Sequence, residues 1–178
     1  MGRSRWTVLA VFTLVAGLSQ ALWLNFVPIL STIQRRYGVD ELTASTLILV
    51  FPALYVVLSL PAGALIDRRG YRFSVAAGAV VMAAFACLRI YTGSFYVLLA
   101  GQIGIACAQP YIVNGISKLV ADWFPPDQNA AANGLGTVGL FIGMALGMGL
   151  TPELVDSLTL TGAMVVFALL SVVGALLF

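Results

Sequence analysis

Charged side chains are concentrated at one bend of the chain, in the stretch PAGALIDRRGYR at residues 61–72. Its three arginines suit an anchor on the cytoplasmic face of a membrane, because positively charged loops stay on that side. Such an anchor does not explain Asp67, since acidic residues contribute little to topology. Gly63 would allow close backbone approach within a helix pair, and Gly70 would permit a positive φ in a tight turn. The stretch therefore predicts a structured loop with a role beyond anchoring.

Amide side chains inside apolar runs form a second group that could do chemistry. An unpaired amide is costly in lipid, so these groups should face the bundle interior and could line a solute path. They could equally bond one helix to another, at about 0.6 kcal/mol for each bond. Trp23 joins them because it lies well inside an apolar run, far from the interfacial belt that tryptophan prefers. The predicted cavity residues are Trp23, Gln20, Asn25, Gln109 and Asn114.

Residue types needed for catalysis or metal binding are scarce. The chain has no histidine, and its two cysteines, Cys87 and Cys107, lack metal-ligand spacing. No carboxylate pair or Ser/His arrangement supports an intramembrane enzyme. Acidic residues fall at the ends of apolar runs or in loops, whereas proton-driven transporters usually keep one in the pathway. The sequence predicts no enzymatic activity, no cofactor and no metal, and it favours facilitated diffusion.

Composition indicates that lipid is the solvent of this protein. The 178 residues are 61% hydrophobic and 9% charged, whereas a soluble domain carries about 25% charged residues. Six apolar runs are each long enough to cross a hydrocarbon core of ~30 Å. We predict an all-α membrane protein, a single domain over residues 1–178 with six transmembrane helices. The predicted spans are about 7–30, 43–66, 73–92, 95–121, 129–150 and 159–178.

Basic residues predict the orientation of these spans in a cell membrane, either a plasma or an inner membrane. Six alternating crossings put most of them on one side, which the positive-inside rule makes cytoplasmic together with both termini. Arg35 and Arg36 fall on the other side, offset by Asp40 and Glu41. Arg89, near a helix end, is expected to extend its side chain to the membrane surface. The cytoplasmic set is Arg3, Arg5, Arg68, Arg69, Arg72 and Lys118.

The pattern from Gly63 to Arg72, with Asp67-Arg68-Arg69-Gly70 at its centre, resembles the loop signature of the major facilitator superfamily. That signature lies between the second and third helices on the cytoplasmic side. The resemblance implies the amino-terminal six-helix half of a twelve-helix transporter, built from two inverted three-helix repeats. It also implies a gate in which Asp67 is a latch against the opposite half, Arg68 and Arg72 are its local partners, and Gly63 packs closely.

A second stretch resembles one subgroup of that superfamily, the choline- and haem-related transporters named for the feline leukaemia virus subgroup C receptor. The similar residues are Ala108-Gln109-Pro110-Tyr111-Ile112 and Lys118-Leu119-Val120-Ala121-Asp122-Trp123-Phe124, with Phe12-Thr13-Leu14-Val15 and Trp23 in helix one. The resemblance implies that Trp23 packs against a quaternary ammonium such as that of choline. A glutamine of helix five that serves the ligand in the subgroup is absent, and Phe141 aligns with its position.

Small residues in the fifth run predict close helix packing. Gly139, Gly143 and Gly147 repeat every four residues, as in the small-xxx-small surfaces of membrane helices. Half a facilitator cannot enclose a path, because substrate sites lie between two halves. An even number of spans lets two copies insert in one orientation, so a C2 homodimer could supply both halves. Asp67 of one chain would then approach residues 127–132 of the other, and the glycines would leave room for the partner's helix two.

Two assemblies therefore stay open. In the first, the chain is a half-size transporter that binds a small organic solute such as a choline-like cation and works as a homodimer in the bilayer. In the second, the chain is a fragment or a non-transporting module that needs another six-helix half. Phe178 ends the sequence inside an apolar run without a following basic residue, as expected of the second alternative.

Overall fold

The computed structural model describes residues 4–178, which are almost entirely helical and contain no strand. Arg3, which contributes to the predicted orientation, lies outside the described residues. The helices are α1 (Arg5–Leu24), α2 (Leu30–Tyr37), α3 (Glu41–Leu88), α4 (Phe95–Val113), α5 (Gly115–Trp123) and α6 (Asn129–Leu177), with short 3-10 helices at Val27–Ile29 and Pro126–Gln128.

Four helical stretches in the described part of the chain are long and apolar enough to cross a membrane: Arg5–Tyr37, Glu41–Leu88, Phe95–Trp123 and Pro126–Leu177. Two of these each contain one residue with a non-helical backbone, Gly70 (φ 79°, ψ 162°) and Thr159 (φ 70°, ψ 168°). An unbroken helix of 48 residues, the length of α3, would measure about 72 Å, over twice the thickness of the hydrocarbon core. Each break fits a return of the chain across the membrane, and the count of six crossings stays a prediction.

The second break lies later than the sequence indicates. The predicted spans leave residues 151–158 as a connection, but the structure keeps them helical, with Pro152 inside α6. The chain changes direction at Thr159 instead. A β-branched residue rarely adopts a positive φ, so nothing in the residue type marks this position as a turn.

The helices recur with a period of 88 to 90 residues. The helices α1 and α4 begin at residues 5 and 95, α3 and α6 begin at 41 and 129, and the backbone breaks lie at 70 and 159. Each unit contains a long helix, a short helix and then a long, broken helix, namely α1, α2 and α3 in the first unit and α4, α5 and α6 in the second. If every broken helix crosses twice, each unit has three crossings, so the second unit is inverted relative to the first. This agrees with the predicted three-helix repeats.

The two units are interlocked in the bundle. The helix α1 of the first unit packs mainly against α6 of the second, and α4 of the second packs mainly against α3 of the first. Large apolar side chains fill the contacts, among them Phe12, Phe51 and Met82, which are fully buried. Others are turned outward, with Val56 75% and Leu60 82% exposed. A surface of this kind suits contact with lipid chains or with another apolar protein.

Candidate functional site

A cavity of about 300 Å³ lies where α1, α4 and the part of α3 before Gly70 meet. Three of the five residues predicted for a cavity line it, namely Gln20, Trp23 and Gln109. The lining also includes the aromatic ring of Tyr55. Its volume suits a small organic molecule, because ligand sites begin at about this size. The rest of the lining is Pro52, Val56 and Val113, so none of the lining residues is an acid, a lysine or an arginine.

Trp23 is held firmly in the wall of this cavity. Its indole N–H donates a hydrogen bond to the carbonyl oxygen of Ile48 (3.1 Å). Its ring stacks on Phe51, with 5.9 Å between ring centres and 19° between ring planes. The polar atom of Trp23 is therefore satisfied by protein, and what the residue offers a ligand is an apolar, electron-rich ring.

The two glutamines occupy equivalent places in the two structural units. Gln20 lies in α1, and Gln109 lies 89 residues later in α4, which matches the repeat of the helices. Both side chains are almost fully buried, and neither Gln20 Oε1 nor Gln109 Nε2 has a hydrogen-bond partner. A buried polar group without a partner costs about 1–3 kcal/mol. The wall of the cavity therefore contains one unpartnered acceptor and one unpartnered donor, both buried within the protein.

Asn114 supports the cavity from behind its wall. The hydroxyl group of Tyr55 donates to Asn114 Oδ1 (2.6 Å), so this amide fixes a ring that lines the cavity. Sequence reasoning missed Tyr55, although its distance of three residues from Pro52 puts the two on one helical face. Contrary to the prediction, Asn114 does not line the cavity itself but contacts it indirectly through Tyr55.

Asn25 does not line this cavity. It comes five residues after Gln20, which corresponds to a rotation of about 140° around a helix axis, so the two side chains leave α1 on different faces. Asn25 is fully buried, and neither polar atom of its side chain has a hydrogen-bond partner. Its prediction as a cavity residue is therefore not met.

The structure also buries an arginine that the sequence places at the membrane surface. Arg89 is 1% exposed, so the predicted extension of its side chain to the surface is wrong. Its guanidinium donates to the carbonyl oxygen of Leu22 (3.4 Å) and lies 4.6 Å from the centre of the Phe26 ring. Gln102 donates to the same carbonyl (3.2 Å). Carbonyls in the last turn of a helix lack helical partners and carry partial negative charge, so the end of α1 attracts the cation.

The predicted gate residues lie around the break in α3. Gly70 has the positive φ that the sequence predicts. The side chains of Asp67 and Arg68 are exposed and form no ion pair or hydrogen bond with the described residues, so the expected local pairing of Asp67 is absent. Arg72 donates instead to the hydroxyl group of Tyr71 (3.2 Å). A methyl group at Gly63 would meet no atom within 4 Å, because this face of α3 is open, so close packing there is not observed.

The three glycines of the small-residue ladder pack within the chain. Gly139, Gly143 and Gly147 of α6 are buried against α1. A methyl group at Gly143 would overlap the backbone of Gly17, and one at Gly139 would overlap the side chain of Thr13. The expectation that the ladder receives helix two of a partner is therefore wrong, because α1 of the same chain fills it.

An all-helical apolar bundle with two repeated units and a cavity lined by two buried glutamines is the architecture expected of a membrane transporter. The family model of the Major Facilitator Superfamily matches residues 9–178. The chain therefore belongs to the major facilitator superfamily and is an all-α, integral, multi-pass membrane protein. Transporters of this family carry solutes rather than transform them, in agreement with the prediction that the chain is not an enzyme.

Similar proteins include transporters with named substrates. The choline/ethanolamine transporter FLVCR1 of Felis catus is 30% identical over 156 residues, which are 86% of this chain and 28% of that protein. The choline/ethanolamine transporter flvcr2b of Danio rerio is 26% identical over 158 residues, 87% of this chain and 33% of that protein. Solute carrier family 49 member A3 of Danio rerio is 30% identical over 162 residues, 86% of this chain and 34% of that protein. The chain thus spans about a third or less of the length of these relatives.

Proposed function

We propose that the chain transports a small organic solute across the membrane by alternating access. The cavity between α1, α3 and α4 carries this proposal, because the amide residues Gln20 and Gln109 line it in an otherwise apolar bundle. Polar groups kept inside a membrane protein typically mark a substrate path. Membership of a transporter superfamily supports the same conclusion.

The proposed substrate is a choline-like cation. A quaternary ammonium group is attracted to the face of a tryptophan or tyrosine ring, and both kinds of ring line the cavity at Trp23 and Tyr55. No lysine or arginine among the lining residues opposes a cation. Two of the similar proteins are named as choline/ethanolamine transporters, which favours the same class of substrate.

The proposed assembly is a homodimer of half-size transporters. In this family a substrate site lies between two six-helix halves, and the described chain provides helices for one half. Exposed apolar side chains on α3 and α6, such as Leu60 (82%) and Phe141 (63%), give a surface that a second copy could cover. The alternative, favoured by the greater length of the relatives, is that the second half belongs to another polypeptide or to a longer form of this one.

Uptake by proteoliposomes tests the function and the assembly together. Vesicles containing this chain alone should accumulate radiolabelled choline faster than empty vesicles, and the mass of the complex in nanodiscs should equal two copies. Uptake that needs a second, different six-helix protein would support the alternative. Absence of both uptake and choline binding would refute the proposed substrate.

We further propose that both termini and the loop at residues 67–72 face the cytoplasm of a plasma or inner membrane. Cysteine labelling tests this in protein whose Cys87 and Cys107 are replaced by alanine. A membrane-impermeant maleimide added to intact cells should leave Arg68→Cys unlabelled and should label the matched control Arg35→Cys in α2. Labelling of Arg68→Cys from outside would reverse the orientation.

A further inference from the structure

A second polar feature lies at the end of the bundle where α3 breaks at Gly70. Two cavities of about 520 and 400 Å³ adjoin there, and both are lined by Tyr71, Arg72 and Trp123. They share no residue with the cavity of Trp23 and Gln109. We call the pair the boundary slot, because it lies between the ends of helices.

The polar part of the boundary slot carries positive charge without a matching carboxylate. Arg69 and Arg72 both line it, and neither forms an ion pair with any residue that the structure describes. The guanidinium of Arg72 lies 5.1 Å from the centre of the Trp123 ring. Asp122 is the acidic residue in this lining, and its carboxylate is already paired with Lys118 (3.3 Å). An anion would therefore meet two guanidinium groups that are not neutralised by an ion pair.

The other part of the boundary slot is apolar. It continues along Val8 and Val11 of α1 and reaches Ala76, one turn beyond Arg72 in α3. Val11 lies further from the helix end than Val8, so this part extends from the charged end of the bundle toward its middle. A free phosphate ion would leave it empty, whereas a molecule with a charged head and a hydrocarbon chain would fill both parts.

We propose that the boundary slot binds an anionic phospholipid, with its phosphate between Arg69 and Arg72 and an acyl chain along Val8 and Val11. Basic pockets between membrane helices bind anionic head groups, and tryptophan favours the membrane–water boundary where such head groups lie. The two arginines would repel the positive charge on a zwitterionic head group, so the boundary slot should prefer an anionic lipid to a zwitterionic one.

Native mass spectrometry of the delipidated full chain in detergent tests the proposal. The probes are dioleoylphosphatidylglycerol, dioleoylphosphatidylcholine with the same chains, and inorganic phosphate. The anionic lipid should bind at least fivefold more tightly than the zwitterionic one, and inorganic phosphate should not compete at equal concentration. Arg72→Gln should weaken binding of the anionic lipid about fivefold, as expected for one basic residue at a membrane surface.

Arg68→Gln is the matched control, because Arg68 is the neighbouring exposed arginine that lines neither cavity. Its binding of phosphatidylglycerol should stay within twofold of the parent protein. Equal loss in both variants would show diffuse charge attraction and overturn the proposal, as would equal binding of the two lipids or displacement by phosphate. If Arg72→Gln fails to fold, Val11→Trp fills the apolar part and leaves both arginines. Unchanged lipid binding by that variant also overturns the proposal.

Discussion

At the scale of single residues, Trp23 combines a fixed position with a free ring surface. Its N–H is satisfied by the carbonyl of Ile48, and Phe51 stacks against it, so the ring cannot turn to suit each ligand. Rigid placement reduces the entropy lost when a ligand binds. A cation in the cavity would meet a ring that is already in position, and this makes Trp23 the most informative residue to change.

We predict that Trp23→Ala weakens choline binding about tenfold, because a cation–ring contact is worth roughly 0.5–2 kcal/mol and tenfold corresponds to about 1.4 kcal/mol. Isothermal titration of purified protein measures this. Trp6→Ala is the control, since Trp6 packs on Phe124 away from the cavity, and it should bind choline as the parent does. Equal choline binding by the Trp23 variant and the parent protein would indicate that Trp23 contributes to packing and not to ligand binding.

At the scale of helices, close contact between α1 and α6 depends on residues without side chains. Gly143 faces the backbone of Gly17, and Gly147 faces that of Ala21, so the two helices approach as nearly as their backbones allow. Membrane helices associate through such packing, since burial of apolar surface gains little in lipid. The contact joins the two structural units of the bundle.

We predict that Gly143→Ala lowers the free energy of unfolding by about 1–3 kcal/mol, because the added methyl group overlaps the backbone of Gly17 and the helices must separate. Gly149→Ala in the same helix is the matched control, since a methyl group there meets no atom within 4 Å. It should be neutral or slightly stabilising, because alanine has the higher helix propensity. Thermal unfolding in detergent measures both, and equal effects would contradict the packing role of Gly143.

The break in α6 gives a second prediction at this scale. Thr159 has φ 70° and ψ 168°, a region that is essentially restricted to glycine and costs other residues of order 1–3 kcal/mol. Thr159→Gly should therefore raise the free energy of unfolding by about 1 kcal/mol. Gly70→Ala should lower it, because Gly70 has nearly the same backbone angles in α3.

Thr137→Gly is the control for the loss of a threonine side chain in α6. Thr137 is helical and exposed, so glycine there should destabilise by roughly 0.3 kcal/mol, the difference between the helix propensities of threonine and glycine. Denaturation of all three variants in one detergent compares them directly. A destabilising Thr159→Gly would mean that the side chain of Thr159 contributes more than its backbone conformation costs.

At the scale of the whole molecule, the bundle face that includes Asp67 is exposed and could receive a second copy of the chain. This carboxylate is exposed and has no ion-pair partner in the described chain. The start of a helix carries about half a positive charge and unpaired N–H groups, so the beginning of α6 near Asn129 of a second copy would attract it. Such a contact would bias a gate by about 0.3–2 kcal/mol without locking it.

We predict that Asp67→Cys combined with Asn129→Cys forms disulfide-linked dimers in membranes, in protein without Cys87 and Cys107. Non-reducing electrophoresis detects them as a band of twice the monomer mass. Arg35→Cys with Asn129→Cys is the control, since Arg35 is predicted on the other side of the membrane, and this pair should remain monomeric. Crosslinks within one chain, or none, would instead indicate that the other half is supplied by a different polypeptide.

Composition and residue spacing by themselves determined the class of this protein. A chain with 9% charged residues cannot cover a water-soluble surface, so lipid had to be its solvent, and helices follow because lipid leaves no other partner for the backbone. The spacing of Asp67, Arg68 and Gly70 then indicated the family. The glutamines of the cavity were also predictable, because an unpaired amide is costly in lipid and such a residue should therefore face the interior of the bundle.

Only the tertiary structure decided which polar groups meet. Asn25 and Gln20 both carry amide side chains and lie five residues apart. They leave α1 on different faces, so Gln20 lines the cavity and Asn25 does not. Arg89 resembles a surface residue in the sequence, yet the end of α1 supplies the negative partial charge that lets it stay buried. The sequence of the ladder at Gly143 does not indicate which helix it receives, and the structure places α1 against it. Such contacts depend on how each helix is rotated about its axis and on which helices pack together. Side-chain packing across the whole bundle determines both, and local sequence does not.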